Sequence, residues 1–200
     1  MLQIRIHGRG GQGVVTAAEL LSMAAFVDGT FSLAFPSFGS ERTGAPVAAF
    51  CRISEREIRA REPVLHPDVI IVQDSTLLHQ VDVFGGLTPE GYVLINSTRS
   101  ARELGIEERC SRLPERHWSI FPATEIASRH LHRPIPNAAL VAGFAALTHA
   151  VSSASIEQAI QQKFAGSVGE RNVDVAREAY DFVRDRVLSE KGTTNHETTN

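Results

Sequence analysis

Cysteine is scarce in this 200-residue chain, and its scarcity excludes several kinds of site. Cys51 and Cys110 are the only two, they stand far apart, and neither belongs to a CxxC pair. Two such thiols cannot hold an iron–sulfur cluster or a tetrahedral zinc ion. We expect both to be buried structural thiols without a disulfide. No Ser-His-Asp or paired-carboxylate arrangement is evident, so no catalytic or metal-binding residue is assigned.

A net positive charge and long apolar runs are lacking as well. The formal net charge is −3, which offers no broad basic field, so nucleic acid is not an expected partner. No apolar run reaches the roughly 18–20 residues that cross a bilayer. We therefore expect no membrane span and a cytoplasmic location. Hydrophobic residues make up 42% of the chain, enough for one globular domain with a sizeable core.

The apolar residues follow a strand period and a helix period in turn. "LQIRIHG" (2–8) alternates as a strand does, and Val14 to Ala25 then repeat at helical spacing. Further strands are predicted at "TFSLAF", "VAAFCRIS", "DVIIVQD", "GYVLINS" and "HWSIFPA". The second of these follows closely enough to add to the sheet like a hairpin. This order predicts an α/β fold with a mostly parallel sheet.

From about Asn137 onward the pattern is helical. Three helices are predicted, at "NAALVAGFAALTHAV", "SIEQAIQQKF" and "VDVAREAYDFVRDRV". The third has one apolar face, made of Val175, Ala179, Phe182 and Val183. We predict a single domain over residues 1–188 with a helical C-terminal part, and a disordered polar tail over residues 189–200.

Four glycines within six positions separate the first strand from the first helix. This glycine loop (8–13) contains Gly8, Gly10, Gly11 and Gly13, and Arg9 adds a cation. A helix start that follows such a turn has unsatisfied N–H groups and a partial positive charge, which together favour phosphate. The GxGxxG spacing occurs where it should, after a strand and before a helix. The alternative is a tight strand–helix crossing without a ligand.

A dinucleotide site would also need an acidic residue at the end of the second strand. Asp28 lies about 20 residues after Gly8, as that fingerprint requires, but it precedes the second strand instead of following it. A nicotinamide cofactor is therefore the weaker interpretation of the glycine loop.

A second polar loop, Pro36–Pro46 ("PSFGSERTGAP"), follows the second predicted strand. In an α/β sheet this position lies beside the glycine loop, at the edge where such folds bind ligands. Ser40, Arg42 and Thr43 can donate hydrogen bonds to phosphate oxygens. The alternative is a solvated loop in which Glu41 and Arg42 form an exposed pair of little energetic value.

Other polar residues at strand ends have ordinary structural explanations. We interpret His7 as a hydrogen-bonded structural histidine, and Asp74, Asn96 and Ser97 as helix caps. The segment Arg129–Pro134 ("RHLHRP") offers too few ligands for a metal. It is predicted to be a solvated or partner-facing loop.

Taken together, "GRGGQGVVTAAELL" and "FPSFGSERTGAPVAAFCRIS" resemble the gamma subunit, or gamma domain, of the 2-oxoacid:acceptor oxidoreductases, such as pyruvate:ferredoxin oxidoreductase. The likeness continues through "DVIIVQD", "PNAALVAGFAAL" and "NVDVAREAY" and covers residues 1–185. It implies a Rossmann-like fold in a complex that oxidatively decarboxylates a 2-oxoacid to an acyl-CoA.

The resemblance also implies a division of labour. Thiamine diphosphate, Mg and the iron–sulfur clusters belong to alpha, beta and delta-type partner subunits, through which electrons reach ferredoxin or another acceptor. This chain contributes assembly and binding of coenzyme A (CoA). The implied CoA contacts are Gly8, Arg9, Gly10, Gly11, Gln12, Gly13, Ser40, Arg42, Thr43 and Gly44.

Two alternatives from other classes stay open at this stage. They are a stand-alone NAD(P)-binding oxidoreductase and a small nucleotide-binding regulatory protein. Within the leading interpretation, the thiamine pocket lies on other chains. The sequence therefore leaves open the 2-oxoacid (pyruvate, 2-oxoglutarate, a branched-chain acid or an aryl acid such as phenylglyoxylate) and the acceptor, ferredoxin or NAD.

Overall fold

The computed structural model describes residues 1–37 and 43–189. Its strands are β1 (Leu2–Arg9), β2 (Phe31–Pro36), β3 (Pro46–Ser54), β4 (Val69–Val72), β5 (Tyr92–Asn96) and β6 (Trp118–Phe121). Its helices are α1 (Val14–Val27), α2 (Glu107–Cys110), α3 (Ala123–Leu131), α4 (Asn137–Thr148), α5 (Ser153–Lys163) and α6 (Gly166–Ser189). A short 3-10 turn covers Ser75–His79.

The six strands form one sheet in the order β2-β3-β1-β4-β5-β6. β1, β4, β5 and β6 pair in parallel, whereas β3 is antiparallel to both β1 and β2. β2 therefore points the same way as β1. The mostly parallel sheet and the hairpin-like addition of β3 confirm the predicted fold class. One consequence matters for the site: β1, β2, β4 and β5 all end at the edge where β3 begins.

The two faces of the sheet are covered differently. Alternate strand residues such as Ile4 and Ile71 face a layer built from α1 and α3 to α6. The other residues, such as Ile70 and Val93, pack against the segments around Leu77 and Ile106. Because both faces are covered, every residue of β4 is buried, as its continuous apolar run predicts.

Helix α4 lies at the centre of the helical layer. Every residue from Asn137 to Leu147 is buried, and the helix contacts β5, α1, α5 and α6. Its alanine-rich sequence therefore serves packing inside this chain. Gly143 lets α4 approach the sheet closely, because a Cβ there would lie 2.9 Å from Cζ of Phe121 on β6.

Three features of the fold differ from the sequence prediction. The "RHLHRP" segment is not wholly a loop, because Arg129 to Leu131 complete α3, which ends at His132 in the left-handed conformation (φ 54°). Phe182 is 41% exposed, because it sits at the margin of the apolar face of α6, beside the edge strand β6. Helix α6 continues to Ser189, one residue beyond the predicted domain end, and the rest of the predicted tail (190–200) lies outside the described residues.

No helix in the described ranges is both long enough and apolar enough to cross a membrane.

Candidate functional site

The candidate site lies at the sheet edge where the parallel strands end. The glycine loop connects β1 to α1 there, and α4 begins at the same edge, with its first residue, Asn137, against Gly13. The short turn that follows β4 brings Gln73 and Asp74 to the same place. Residues far apart in sequence thus surround one helix start.

The backbone of the glycine loop is arranged as an anion site requires. Gly11 (φ 90°) and Gly13 (φ 76°) are left-handed, a conformation in which glycine avoids the strain of a Cβ. Gly13 is the N-cap of α1 and provides no side-chain cap. Among the described residues, no acceptor is found for the N–H groups of Gly11, Gly13 and Val14. Free donors and the helix dipole together favour an anion at this point.

The glycines of the loop serve different purposes. A Cβ on Gly8 would lie 2.5 Å from Cγ2 of Val14, and one on Gly13 would overlap the amide of Asn137. At Gly11 the nearest atom of a described residue would be Cγ2 of Thr43, at 3.9 Å. Gly8 and Gly13 are therefore required for close internal packing, whereas a Cβ on Gly11 would meet no close contact within the described part of the chain.

The second loop lies beside the glycine loop, as predicted. The Gly10 N–H donates to the Ala45 carbonyl (2.9 Å), and the Gly44 N–H donates back to the Gly10 carbonyl (3.0 Å). Thr43 forms a β-bridge with Gly10. Ser40 and Arg42, the other predicted contacts of this loop, lie outside the described residues, as does Glu41.

Arg9 is a paired cation in this arrangement. Its Nε donates to Oδ2 of Asp74 (3.0 Å), and Nη1 donates to the Gly44 carbonyl (3.0 Å). Nη2 donates to Oγ1 of Thr76 (2.6 Å) and to Oε1 of Gln80 (3.0 Å). The guanidinium thus joins the glycine loop to the second loop and to the turn after β4.

Gln12 is also folded back onto its own loop. Its Oε1 accepts from the Arg9 N–H (2.8 Å), and its Nε2 donates to Oδ2 of Asp74 (3.0 Å). The backbone N–H of Gln12 donates to the Arg9 carbonyl (3.0 Å). The side chain therefore fixes the shape of the loop.

Asp74 caps the 3-10 turn, as predicted, and also accepts hydrogen bonds from the glycine loop. Its Oδ1 accepts from the Thr76 N–H (3.0 Å) and hydroxyl (2.6 Å), which caps the 3-10 turn. Burial alone would raise the pKa of Asp74, but the hydrogen bonds from Thr76 and Gln12 and the charge of Arg9 outweigh it and bring the pKa below its ordinary value. Asp74 is thus ionised at neutral pH. Asn96 has a similar structural task, since its Oδ1 accepts from the Thr124 N–H at the start of α3 (3.1 Å).

Two buried amide side chains support the glycine loop from inside the protein, and neither was predicted from the sequence as part of the site. Gln73 is 2% exposed and Asn137 is 5% exposed. Nε2 of Gln73 donates to the Gln12 carbonyl (2.9 Å) and to Oδ1 of Asn137. A polar residue directly after a fully apolar strand was the available signal for Gln73, because a buried amide must find partners.

His7 is the structural histidine that the sequence predicted. Its Nε2 accepts from Nε of Arg5 (3.0 Å). Burial, and secondly the charge of Arg5, lower the pKa of His7 to about 4, so the ring is neutral at neutral pH. It therefore lies partly buried at the end of β1 without adding charge.

Asp28 has structural partners away from the sheet edge that carries the candidate site. It ends α1, and its carboxylate accepts from the Ser152 N–H (2.7 Å) and the Ser155 hydroxyl (2.6 Å) at the start of α5. This contact counts against a ribose contact and hence against the nicotinamide alternative. Within residues 1–37 and 43–189, no three His, Cys, Asp or Glu side chains form a group that could hold a metal ion.

The family comparison agrees with the motifs. A family model for pyruvate ferredoxin/flavodoxin oxidoreductase matches residues 3–182. The chain is 45% identical over 181 residues to the pyruvate/ketoisovalerate oxidoreductases common subunit gamma of Pyrococcus abyssi, covering 90% of this chain and 96% of that protein. It is 46% identical over 180 residues to the pyruvate synthase subunit PorC of Methanocaldococcus jannaschii, with the same coverage.

Solved structures show the same fold. The pyruvate oxidoreductase subunit PORC of Thermotoga maritima is 32% identical, with a TM-score of 0.75, and the match covers 90% of this chain and 95% of that one. The 2-oxoglutarate:ferredoxin oxidoreductase of Magnetococcus marinus, solved with 2-oxoglutarate, coenzyme A and succinyl-CoA, matches in fold, with a TM-score of 0.69 at 15% identity. That match covers 92% of this chain and 31% of the other.

Proposed function

This chain belongs to the pyruvate ferredoxin/flavodoxin oxidoreductase family as a gamma-type subunit, and from that premise we propose that its glycine loop and second loop bind coenzyme A. It is a subunit of a multisubunit 2-oxoacid oxidoreductase, so the other subunits of that complex are its partners. The function proposed for the chain is to hold CoA at the complex and to take part in assembly.

One observation carries this proposal: among the described residues the N–H groups of Gly11, Gly13 and Val14 find no acceptor, and they lie beside a second loop whose sequence contains hydroxyls and Arg42. These residues suit a phosphate group. Asp74, whose carboxylate contacts the glycine loop, is already neutralised by Arg9 (3.0 Å). Within the described part of the site, phosphate would therefore meet donors beside a paired carboxylate.

Within the proposed site, the residues divide into contacts and supports. Gly11 and Gly13 would offer backbone N–H groups, and Ser40, Arg42, Thr43 and Gly44, with Gly10 bonded to this second loop, would close the other side. Gly8, Arg9 and Gln12 would keep these groups in place, because their packing and hydrogen bonds point into the protein.

The proposal assigns the remaining chemistry to the partner chains. CoA is a substrate here, whose thiol accepts the acyl group. Thiamine diphosphate, Mg and iron–sulfur clusters would lie in alpha, beta and delta-type subunits, with ferredoxin as acceptor. The complex would work in the cytoplasm, where unpaired thiols such as Cys51 and Cys110 stay reduced.

Two substitutions test CoA binding in the assembled complex. Gly11→Asp places a side chain at a left-handed position and a carboxylate beside phosphate. Arg42→Ala removes a charge-assisted hydrogen bond worth about 1.5–3 kcal/mol, or roughly tenfold to a hundredfold in affinity. Both should raise KM for CoA in steady-state titrations. Single-turnover cluster reduction by the 2-oxoacid without CoA should be largely unchanged.

The chain offers matched controls for both. Gly29 has the same left-handed conformation (φ 82°) with no atom near its Cβ position, at the other end of α1, so Gly29→Asp introduces the same strain and charge away from the site. Arg56 is exposed beyond the end of β3, at the opposite edge of the sheet, and Arg56→Ala should leave KM unchanged. An unaltered CoA dependence in assembled Gly11→Asp and Arg42→Ala complexes would mean that the loops serve assembly only.

A further inference from the structure

We propose that Asp74 is a positioning residue for CoA: with Arg9 and Gln12 it holds the glycine loop and the second loop in the shape that binds the ligand. This inference rests on the function proposed above and deepens it. Asp74 itself would not touch CoA. It would act through Arg9 and Gln12, the two side chains that donate hydrogen bonds to its carboxylate.

Both oxygens of the Asp74 carboxylate are engaged. Oδ2 accepts from Nε of Arg9 and from Nε2 of Gln12, each at 3.0 Å. Oδ1 accepts from the N–H and the hydroxyl of Thr76, at 3.0 and 2.6 Å. One carboxylate thus connects the turn after β4 to both polar side chains of the glycine loop.

Arg9 extends this connection to the second loop. Its Nη1 donates to the Gly44 carbonyl (3.0 Å), and the Gly44 N–H donates to the Gly10 carbonyl (3.0 Å). Fixing the guanidinium at Asp74 therefore fixes Gly44 against Gly10. Gly11 lies between Gly10 and Gln12, whose side chain is also held by Asp74.

The position requires a carboxylate and not merely a hydrogen-bonding side chain. The described groups that contact Asp74 donate to it: Arg9 and Gln12 on one oxygen, and the Thr76 N–H on the other. An asparagine would have to present its NH₂ group to one of these sides, so it could not satisfy both. The side chains of Asp74 and Arg9 are 17% and 21% exposed, so the bridge is partly shielded from water and from salt.

The functional consequence is preorganisation. A loop that is already held in its binding shape does not have to be ordered when the ligand arrives, and affinity rises accordingly. Because Asp74 neutralises Arg9, phosphate would be met by the backbone N–H groups and Arg42. Arg9 therefore contributes geometry to the site and not a free charge.

The test compares Asp74→Asn and Asp74→Ala with the parent in the assembled complex. We expect KM for CoA to rise roughly three- to tenfold in both variants through lost preorganisation. Turnover at saturating CoA and KM for the 2-oxoacid should be unchanged. Asp181→Asn is the matched control, because Asp181 also pairs with an arginine, Arg184 (2.7 Å), but on α6. It should change none of these constants.

A double-mutant cycle separates positioning from direct contact. If Arg9 acts through Asp74, Arg9→Ala should raise KM for CoA less in the Asp74→Ala background than in the parent, because the pair is already broken there, whereas independent contacts would give additive effects. A fall in KM in Asp74→Ala, as the freed Arg9 binds phosphate, would overturn the inference. So would an unchanged KM.

Two further comparisons keep the outcome decisive. If the Asp74 variants do not assemble, Gln12→Ala removes one donor while the Asp74 cap of the turn stays; it should raise KM for CoA, and an unchanged KM would overturn the inference. Gly11→Asp distinguishes the two levels of the proposal. If Gly11→Asp raises KM and the Asp74 variants do not, the positioning role fails while CoA binding stands; if none does, CoA binding fails first.

Discussion

His7 shows how a single partly buried side chain makes folding depend on pH. Burial, and secondly the charge of Arg5, lower its pKa from 6.5 to about 4. The neutral ring accepts a hydrogen bond from Nε of Arg5 (3.0 Å), which a protonated ring could not do. Between those two pKa values the unfolded chain binds a proton that the folded chain does not. His7 therefore contributes stability above pH 6.5 that is lost as the pH falls toward 4.

We predict that His7→Gln weakens this pH dependence. The parent chain should lose about 1–2 kcal/mol of unfolding free energy between neutral pH and pH 5 through His7. The amide oxygen of a glutamine can still accept from Arg5 but does not titrate. Urea unfolding at the two pH values measures the difference, with the exposed His66 changed to Gln as control. An equal loss in parent and His7→Gln would show that other groups cause the pH dependence.

At the residue scale, sequence analysis succeeded where local chemistry decides. Cys51 and Cys110 are buried as their residue type suggests, and Asp74 caps the turn that follows it. Arg9 was interpreted as a cation available in the loop. Its actual partner, Asp74, is 65 positions away, so its pairing follows from the sheet register and could not be predicted from the loop.

At the scale of elements, the close packing of α4 against β5 and β6 depends on the missing side chain at Gly143. A Cβ on Gly143 would lie 2.9 Å from Cζ of Phe121 and 3.4 Å from Cδ2 of Leu94. Phe121 is fully buried, so its ring has little room to yield. Densely packed interiors respond to added atoms by strain, because neighbouring side chains cannot move independently.

We predict that Gly143→Val destabilises the chain by about 1–3 kcal/mol through overpacking. Ala154→Val on the exposed side of α5 is the control, since it includes the helix-propensity cost of a β-branched residue, about 0.5 kcal/mol, without crowding. The midpoints of urea unfolding give the comparison. Equal effects at the two positions would mean that α4 can shift away from β5 and β6 at little cost.

The elements that sequence analysis found are those with long apolar periods. The six strands and helices α1, α4 and α5 were predicted close to their observed bounds, whereas α6 begins at Gly166, seven residues before its predicted start. The short helices α2 and α3 were missed. α2 has only four residues, and the amphipathic α3 ends in Arg129 and His130, both of which pair with Glu178 of α6. Without its contact to α6, the polar sequence at the end of α3 is typical of a loop.

For the whole molecule, topology explains why the two motif loops meet. β3 inserts between β2 and β1, so the chain that leaves β2 must return beside the end of β1. The position of both loops at strand ends was enough to predict their proximity. The interlocking Gly10, Thr43 and Gly44 contacts and the buried support from Gln73 and Asn137 depend on three-dimensional register, which the sequence pattern alone does not specify.

The last prediction concerns the chain apart from its complex: purified alone, it should be colourless and inactive. Iron–sulfur clusters are held by several cysteine thiolates, and this chain has two cysteines. Burial raises the pKa of Cys51 to about 12 and that of Cys110 to about 11, which disfavours the thiolates that a metal needs. Anaerobic reconstitution with iron and sulfide should therefore leave the visible spectrum flat.

Adding the chain to a complex that lacks it should restore CoA-dependent oxidation of the 2-oxoacid. Cluster absorbance from this polypeptide alone would refute the division of labour between this subunit and its partners.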